Sequence, residues 1–142
     1  EFPMKDTENI HQKIQELCDC FSTTDPLKEM SELNQDPDSY EAALKWIALA
    51  ILHGVGSNAK KLTLKQKEDK TVCVTVEYRE AQLVAPTGKV AGDIFHTIRQ
   101  ITHIDEAKGK TKLALGLRDS SLELDISVKD KPGSRKVSIK FS

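Results

Sequence analysis

The segment from Ala42 to Leu52 constrains the fold most, because it is apolar at every position except Lys45. Its length and its bounding residues indicate a helix. A helix that is apolar on all sides must be covered on most of its faces. We therefore expect other elements of the chain, or a partner chain, to enclose it, and Trp46 is a candidate contact residue for such a partner.

The signals at the two ends of this segment fit a helix. Asp38 followed by Glu41 resembles a capping box at the start, and Gly54 and Gly56 are expected to stop the helix.

Two further helices are predicted before it. Residues at one helical spacing form the apolar stripe of the first helix, namely Ile10, Ile14, Leu17 and Phe21. Pro26 suits the first position of a second, shorter helix. The polar stretch 34–38 then separates this part from the rest of the chain. We predict an N-terminal helical extension over residues 1–37 and an α+β domain over residues 38–142.

From Lys61 onward the apolar period changes to two. The alternation predicts a hairpin over residues 61–78, and after a helical stripe over 90–104 it predicts an antiparallel meander over 113–141. The expected order is α-α-α-β-β-α-β-β-β. This order indicates an α+β fold with a mainly antiparallel five-stranded sheet, a crossing helix, and one sheet face rich in Lys, Glu, Thr and Ser.

The charge balance excludes a general attraction to polyanions, since 21 basic residues oppose 22 acidic ones and the net charge is -1. No apolar run reaches the roughly 18 residues that span a bilayer, and the N-terminal residues lack the pattern of a signal peptide. We expect no membrane insertion and a cytoplasmic location.

No catalytic, cofactor or metal site is expected from the residues. Gly109-Lys110-Thr111 resembles the end of a phosphate-binding loop, but Ile104 stands where the earlier glycine is needed and a strand pattern follows. The four histidines have no ligand partners at metal spacing, and the three cysteines are predicted to be reduced thiols. The chain is therefore expected not to be an enzyme.

Lysines are the only clustered charges, and both groups are predicted to lie beside turns. The first group is Lys60, Lys61, Lys65, Lys67 and Lys70, and the second is Lys108, Lys110 and Lys112. Such lysines fit either a solvated basic edge or a contact with an acidic or phosphate-bearing partner surface. They also fit a nucleic-acid-binding module, although the aromatic content of 5% offers few rings for stacking on bases. The candidate interaction residues are Lys61, Lys108, Lys110, Lys112 and Trp46.

The segment from Ala42 to Phe141 resembles the N-terminal, PAS-like domain of type II secretion and type IV pilus ATPases. The resemblance is carried by the order and period of Gly54-Val55-Gly56-Ser57, Leu62-Thr63-Leu64-Lys65 and Val72-Cys73-Val74-Thr75-Val76, and by Ile104-Asp105-Glu106-Ala107-Lys108-Gly109-Lys110 before the next strand. The Asp, His and Glu of the family's first strand are absent here.

The resemblance implies a non-catalytic domain that docks on, or belongs to, a secretion or pilus motor assembly. In the family, the Walker motifs lie in a following motor core, and basic residues near the turn approach a shared nucleotide. Lys110 occupies the position of the turn's Arg. The leading hypothesis is thus a protein-interaction or regulatory domain with a motor subunit as partner, and self-association is left open; the alternative is the nucleic-acid-binding module.

Overall fold

The structure is a computed structural model that describes residues 3–21, 24–33, 38–67, 71–77, 81–83, 86–117 and 120–141. Side chains are described from residue 10 onward, except those at 81–83, 117 and 120. The helices in this part of the chain are α1 (Pro3–Cys20), α2 (Pro26–Glu32), α3 (Ser39–Gly56) and α4 (Gly88–Thr102). The strands are β1 (Lys61–Gln66), β2 (Val72–Val76), β3 (Ala81–Leu83), β4 (Lys108–Leu117), β5 (Ser120–Lys131) and β6 (Ser134–Phe141). The predicted α+β class is confirmed.

The strands form one antiparallel sheet in the order β3-β2-β1-β6-β5-β4. The predicted hairpin is β1–β2, and the predicted meander is β4–β5–β6. Helix α4 links β3 at one edge of the sheet with β4 at the other, so it crosses the sheet as predicted. Strand β3 is a sixth strand that the sequence analysis does not predict, because three residues are too few to show an alternating period.

Side-chain caps begin α2 and α3 where the sequence predicts them. Asp25 accepts hydrogen bonds from the backbone N–H groups of Leu27 and Lys28, at 3.1 and 3.4 Å. Asp38 does the same for the second and third residues that follow it, at 3.0 and 3.1 Å. Each cap satisfies N–H groups that have no partner within the helix, which fixes where the helix starts.

The apolar helix α3 is enclosed by its own chain. It packs against α1, α2, α4 and β1, and its residues 42–44 and 46–51 are buried. Trp46 is only 2% exposed, so its expected role as a contact residue on the surface is wrong. The apolar character of this segment reflects a central place in the core, where several elements cover it.

Helix α3 continues through Gly54 and ends at Gly56, so of the two glycines predicted to stop it only Gly56 marks its end. A Cβ atom at Gly54 would lie 2.1 Å from Cζ of the Phe141 ring. Gly54 therefore serves the close approach of α3 to the end of β6, and this contact needs a residue without a side chain.

Helix α1 contributes to the same core and covers one sheet edge. Ile10, Ile14 and Cys18 are buried in the cluster that includes the sheet residues. The Gln15 side chain accepts a hydrogen bond from the Gly116 N–H at 2.7 Å and donates one to the Gly116 carbonyl oxygen. These two hydrogen bonds satisfy backbone groups of the edge strand β4 that a neighbouring strand would otherwise pair with. The division at residue 37 stays a prediction.

Residues 34–37 of the predicted polar stretch lie outside the described residues, and so does Lys70 of the first lysine group. None of the helices in the described ranges is long and apolar enough to cross a membrane.

Candidate interaction surface on the open sheet face

The face of the sheet that points away from the helices carries lysines brought together by strand pairing. Lys65 on β1 lies opposite Lys136 on β6, Lys136 lies opposite Lys129 on β5, and Lys129 lies opposite Lys108 on β4. We call Lys65, Lys136, Lys129 and Lys108 the lysine row. All four side chains are exposed. With strands about 4.8 Å apart, the row extends roughly 14 Å across the sheet.

A row of hydroxyl groups lies one step along the same strands. Thr63 lies opposite Ser138, and Ser138 lies opposite Ser127, which in turn faces Lys110 on β4. The hydroxyl oxygens of Thr63 and Ser138 are 3.4 Å apart. This hydroxyl row forms a polar floor that can donate hydrogen bonds to an acceptor on a bound partner.

The next row carries both signs of charge and is called the mixed row: Lys61, Lys140, Asp125 and Lys112, in order across β1, β6, β5 and β4. Two flanking carboxylates also pair with its ends. Lys61 Nζ lies 3.7 Å from a Glu77 carboxylate oxygen, and Lys112 Nζ lies 3.4 Å from one of Glu123. The mixed row is therefore largely neutralised.

The lysine row lacks such compensation within the described part of the chain, where no carboxylate forms an ion pair with any of its four ammonium groups. Like charges directly opposite each other on neighbouring strands are destabilising. The pKa of Lys129 is lowered, first by the charge of Lys131 two residues along β5 and next by that of Lys108. The fold thus holds a concentrated positive charge that an anionic partner would relieve.

The rows line an open concavity of about 610 Å³ over β4, β5 and β6. The basic side chains that line it are Lys61, Lys108, Lys110, Lys112, Lys129, Lys136 and Lys140. Ser127 and Ser138 lie on its floor, and Asp125 is its acidic residue. Among the described side chains of the open face none is aromatic.

A half-buried arginine fixes the point at which β4 enters the sheet. Arg99 on α4 donates hydrogen bonds to the carbonyl oxygens of Ile104 and Glu106 at 3.0 and 2.7 Å, and pairs with Asp130 at 3.1 Å. The backbone N–H of Asp130 also donates to the Ala107 carbonyl oxygen at 2.7 Å. These contacts hold the α4–β4 connection and place Lys108 opposite Lys129.

The predicted lysines converge, although their predicted setting is partly wrong. Lys61, Lys108, Lys110 and Lys112 all lie on the open face. However, residues 108–112 form the first half of β4 and not a turn beside a strand. Gly109 lets the start of this strand pass close to the Ile104 side chain, whose Cγ2 atom would lie 2.8 Å from an added Cβ. A phosphate-binding loop is excluded at Gly109-Lys110-Thr111, since these residues are extended and pair with β5.

Lys129, Lys136 and Lys140 belong to the surface, and the sequence analysis does not select them. Each lies at a polar position of an alternating strand. That alternation gives the face on which each side chain lies, but the strands that become neighbours follow only from the pairing of β1 with β6.

The charges of the chain are segregated along the sequence, which the net charge of -1 conceals. Residues 1–41 contain eleven Asp and Glu against three Lys, whereas residues 42–142 contain eleven Asp and Glu against eighteen Lys and Arg. Counting the charges by segment would reveal this division from the sequence alone. The acidic part forms α1 and α2, and the basic part contains the sheet.

The described residues contain no group of three or more His, Cys, Asp or Glu that could hold a metal ion. Burial, with a smaller effect of Asp19, raises the pKa of Cys18 to about 12, so this thiol stays neutral at physiological pH. Cys73 is half-buried and lies opposite Lys65 at the end of the lysine row.

No protein-family model matches the chain, and no curated protein shows significant similarity to it.

Proposed function

We propose that the chain is a non-catalytic protein-interaction domain whose open sheet face binds an acidic surface of a partner protein. The observation that carries this proposal is the lysine row, in which four ammonium groups face one another without a carboxylate in the described part of the chain. Lysines that lie opposite one another lower the stability of the fold, so we infer that these four are retained because they contribute to binding.

The chemistry of this face favours carboxylates as ligands. The lysines supply point charges that can turn toward carboxylates at several positions, and the hydroxyl row supplies donors between them. Such an interface gains association rate and specificity from charge complementarity, and it weakens as salt is added.

The resemblance to the N-terminal domain of secretion and pilus ATPases supports a motor assembly as the setting of this interaction. In that reading Lys110 marks the part of β4 that approaches a neighbouring subunit. Lys110 lies beside the hydroxyl row, opposite Ser127.

The central test is binding of a fluorescent peptide of about eight alternating Glu and Asp residues, which is longer than the lysine row when extended at roughly 3.3 Å per residue. Fluorescence anisotropy should show saturable binding that weakens as salt rises. The triple variant Lys65→Gln/Lys129→Gln/Lys136→Gln should lose at least about tenfold in affinity.

The matched control is Lys13→Gln/Lys28→Gln/Lys89→Gln, which changes the net charge equally at exposed helical positions. This control should bind the peptide nearly as wild type does. Equal losses in the two variants would show that net charge alone attracts the peptide and would overturn the proposal.

A nucleic-acid-binding module is the second candidate, and the convergence of lysines from four strands on one face favours it. The absence of aromatic rings among the described side chains of this face disfavours it, since stacking on such rings contributes much of single-strand affinity. A labelled oligonucleotide measured with the same two variants decides between the classes. Tighter binding of the oligonucleotide than of the peptide at physiological salt would favour the module.

The motor setting has its own test. The chain, with a purification tag, is captured from its native cells, and the co-purified proteins are identified by mass spectrometry. An ATPase with Walker motifs that is recovered with wild type and lost with the triple variant supports the setting. Recovery of the same ATPase with both would place its contact elsewhere on the chain.

A further inference from the structure

We infer that the acidic surface bound by the open sheet face is the helical surface of a second copy of this chain, so that copies associate head to tail. This inference rests on the proposed function and names the partner. It follows from the separation of charge between the two sides of the molecule.

The acidic side is formed by α1, α2 and the start of α3. Its carboxylates not used as helix caps are Glu16, Asp19, Glu29, Glu32 and Glu41. All are exposed or half-buried, and the described lysines on these helices near them are Lys13, Lys28 and Lys45, while the capping carboxylates Asp25 and Asp38 add further negative charge. The surface therefore has an excess of negative charge, complementary to the lysine row.

The two surfaces lie on opposite sides of the fold. Helix α2 packs on α3, which packs on β1, and α1 packs on α3 and on β4, so these helices belong to the side of the fold that covers the sheet. The lysine row occupies the other face. The lysine row of one copy can meet the acidic surface of the next copy, and the resulting pair still exposes one free lysine row and one free acidic surface.

This placement determines the symmetry of the association. A two-fold dimer joins a surface to the same surface of the partner, which here would place lysines against lysines or carboxylates against carboxylates. A head-to-tail contact pairs opposite charges instead. Such a contact produces an open stack or, where the rotation between copies closes, a ring.

The first experiment is sedimentation velocity of the wild-type chain over a concentration series, at about 20 mM and about 500 mM salt. We expect species larger than a monomer at low salt that grow with concentration and dissociate at high salt. Association that is unchanged at high salt would overturn the inference, because charge pairing on exposed surfaces must be screened.

Two charge-reversal variants supply the decisive test. The sheet variant, Lys129→Glu/Lys136→Glu, keeps its acidic helical surface but has an acidic patch on its sheet face, and the helix variant, Glu29→Lys/Glu32→Lys, keeps its basic sheet face but has a basic patch on its helices. Each alone should sediment as a monomer at low salt, because its two surfaces now carry the same sign of charge. Their equimolar mixture should associate at low salt, because every surface of one variant then meets a surface of opposite charge on the other.

A mixture of the two folded variants that stays monomeric at low salt, or a single variant that associates as strongly as wild type, overturns the inference. Circular dichroism verifies that each variant is folded. Should a reversal disturb folding, Lys129→Gln/Lys136→Gln and Glu29→Gln/Glu32→Gln replace the pair, and each should still reduce self-association of the chain.

A matched control changes acidic residues away from the helical surface. Asp105→Lys/Glu106→Lys alters the exposed connection between α4 and β4, and this variant should associate as wild type does. A wild-type chain that stays monomeric at low salt but binds the acidic peptide through the lysine row would overturn the self-association and leave the proposed function standing. A wild-type chain that neither self-associates nor binds the acidic peptide would overturn the proposed function as well.

Discussion

The two faces of the sheet are built from alternate residues of the same strands, but one face is apolar and buried and the other is polar and exposed. On β5, Ile126 and Val128 are 1% and 2% exposed beneath the helices, while Ser127 and Lys129 point to the open side. The covered face is packed tightly enough that a glycine is needed where α3 meets Phe141. The open face instead concentrates like charges, at a cost to stability.

The two faces should therefore contribute to different properties of the chain, the covered face to folding and the open face to binding. Changes on the covered face should act on folding, because they alter packing and buried hydrogen bonds. Changes on the open face should act on binding, and removal of a lysine there should favour folding slightly.

Gly54→Ala should give the largest loss of stability. The new Cβ would lie 2.1 Å from the Phe141 ring, so either α3 or the end of β6 must shift. We expect a loss of about 3 kcal/mol in the free energy of unfolding, measured by urea denaturation. Gly56→Ala is the matched control, since nothing lies within 4 Å of its added Cβ. This control should be neutral or stabilising by up to about 1 kcal/mol, and a similar loss in both variants would contradict the packing argument.

Arg99→Ala should destabilise the chain by about 2 kcal/mol, since it removes hydrogen bonds to two loop carbonyl groups and leaves the Asp130 carboxylate without its partner. The same change should weaken binding of the acidic peptide, because the start of β4 and Lys108 lose their support. Peptide anisotropy and urea denaturation measure the two effects. Arg135→Ala, at an exposed position, is the control and should cost little stability. If folded Arg99→Ala bound the peptide with unchanged affinity, the Arg99 contacts would not be needed to position Lys108, which would contradict this prediction.

The buried thiol of Cys18 predicts a loss of stability at alkaline pH. Its pKa is about 12 in the folded chain, mainly because of burial, whereas an unfolded cysteine ionises near 9. The stabilising contribution is complete below about pH 9 and is lost as the pH rises toward 12. Wild type should therefore lose about 1 kcal/mol more than Cys18→Ala between pH 8 and pH 10, measured by urea denaturation. Equal losses in the two proteins would assign the pH dependence to other groups.

The sequence predicts the framework better than it predicts the surface. The start of α3 at Asp38 and the β1–β2 hairpin follow from local signals, namely a capping oxygen and an alternating period. Trp46 is misplaced because an apolar helix gives no sign of whether its own chain or a partner covers it. The lysine row requires Lys65 and Lys136 to be neighbours, and these residues come from strands that are far apart in sequence. Only the tertiary pairing of β1 with β6 makes one surface of them.

The smallest effect is expected for Lys129→Gln, and it tests the open face directly. The lowered pKa of Lys129 means that the fold disfavours the charged ammonium, so this group opposes folding while it is protonated, and that cost disappears as the pH rises and the amine becomes neutral. Replacing it should raise the thermal midpoint at neutral pH and low salt, and the gain should disappear at high salt, where the repulsion is screened.

The matched control for this gain is Lys140→Gln in the mixed row. Lys140 lies opposite Asp125, so its replacement removes an attraction as well as a repulsion from Lys61, and we expect no rise in the midpoint. A rise for Lys129→Gln alone would show that the lysine row opposes folding while the mixed row does not. A fall for Lys129→Gln at low salt would contradict this, because it would mean that the row stabilises the fold by itself and needs no partner to account for its charge.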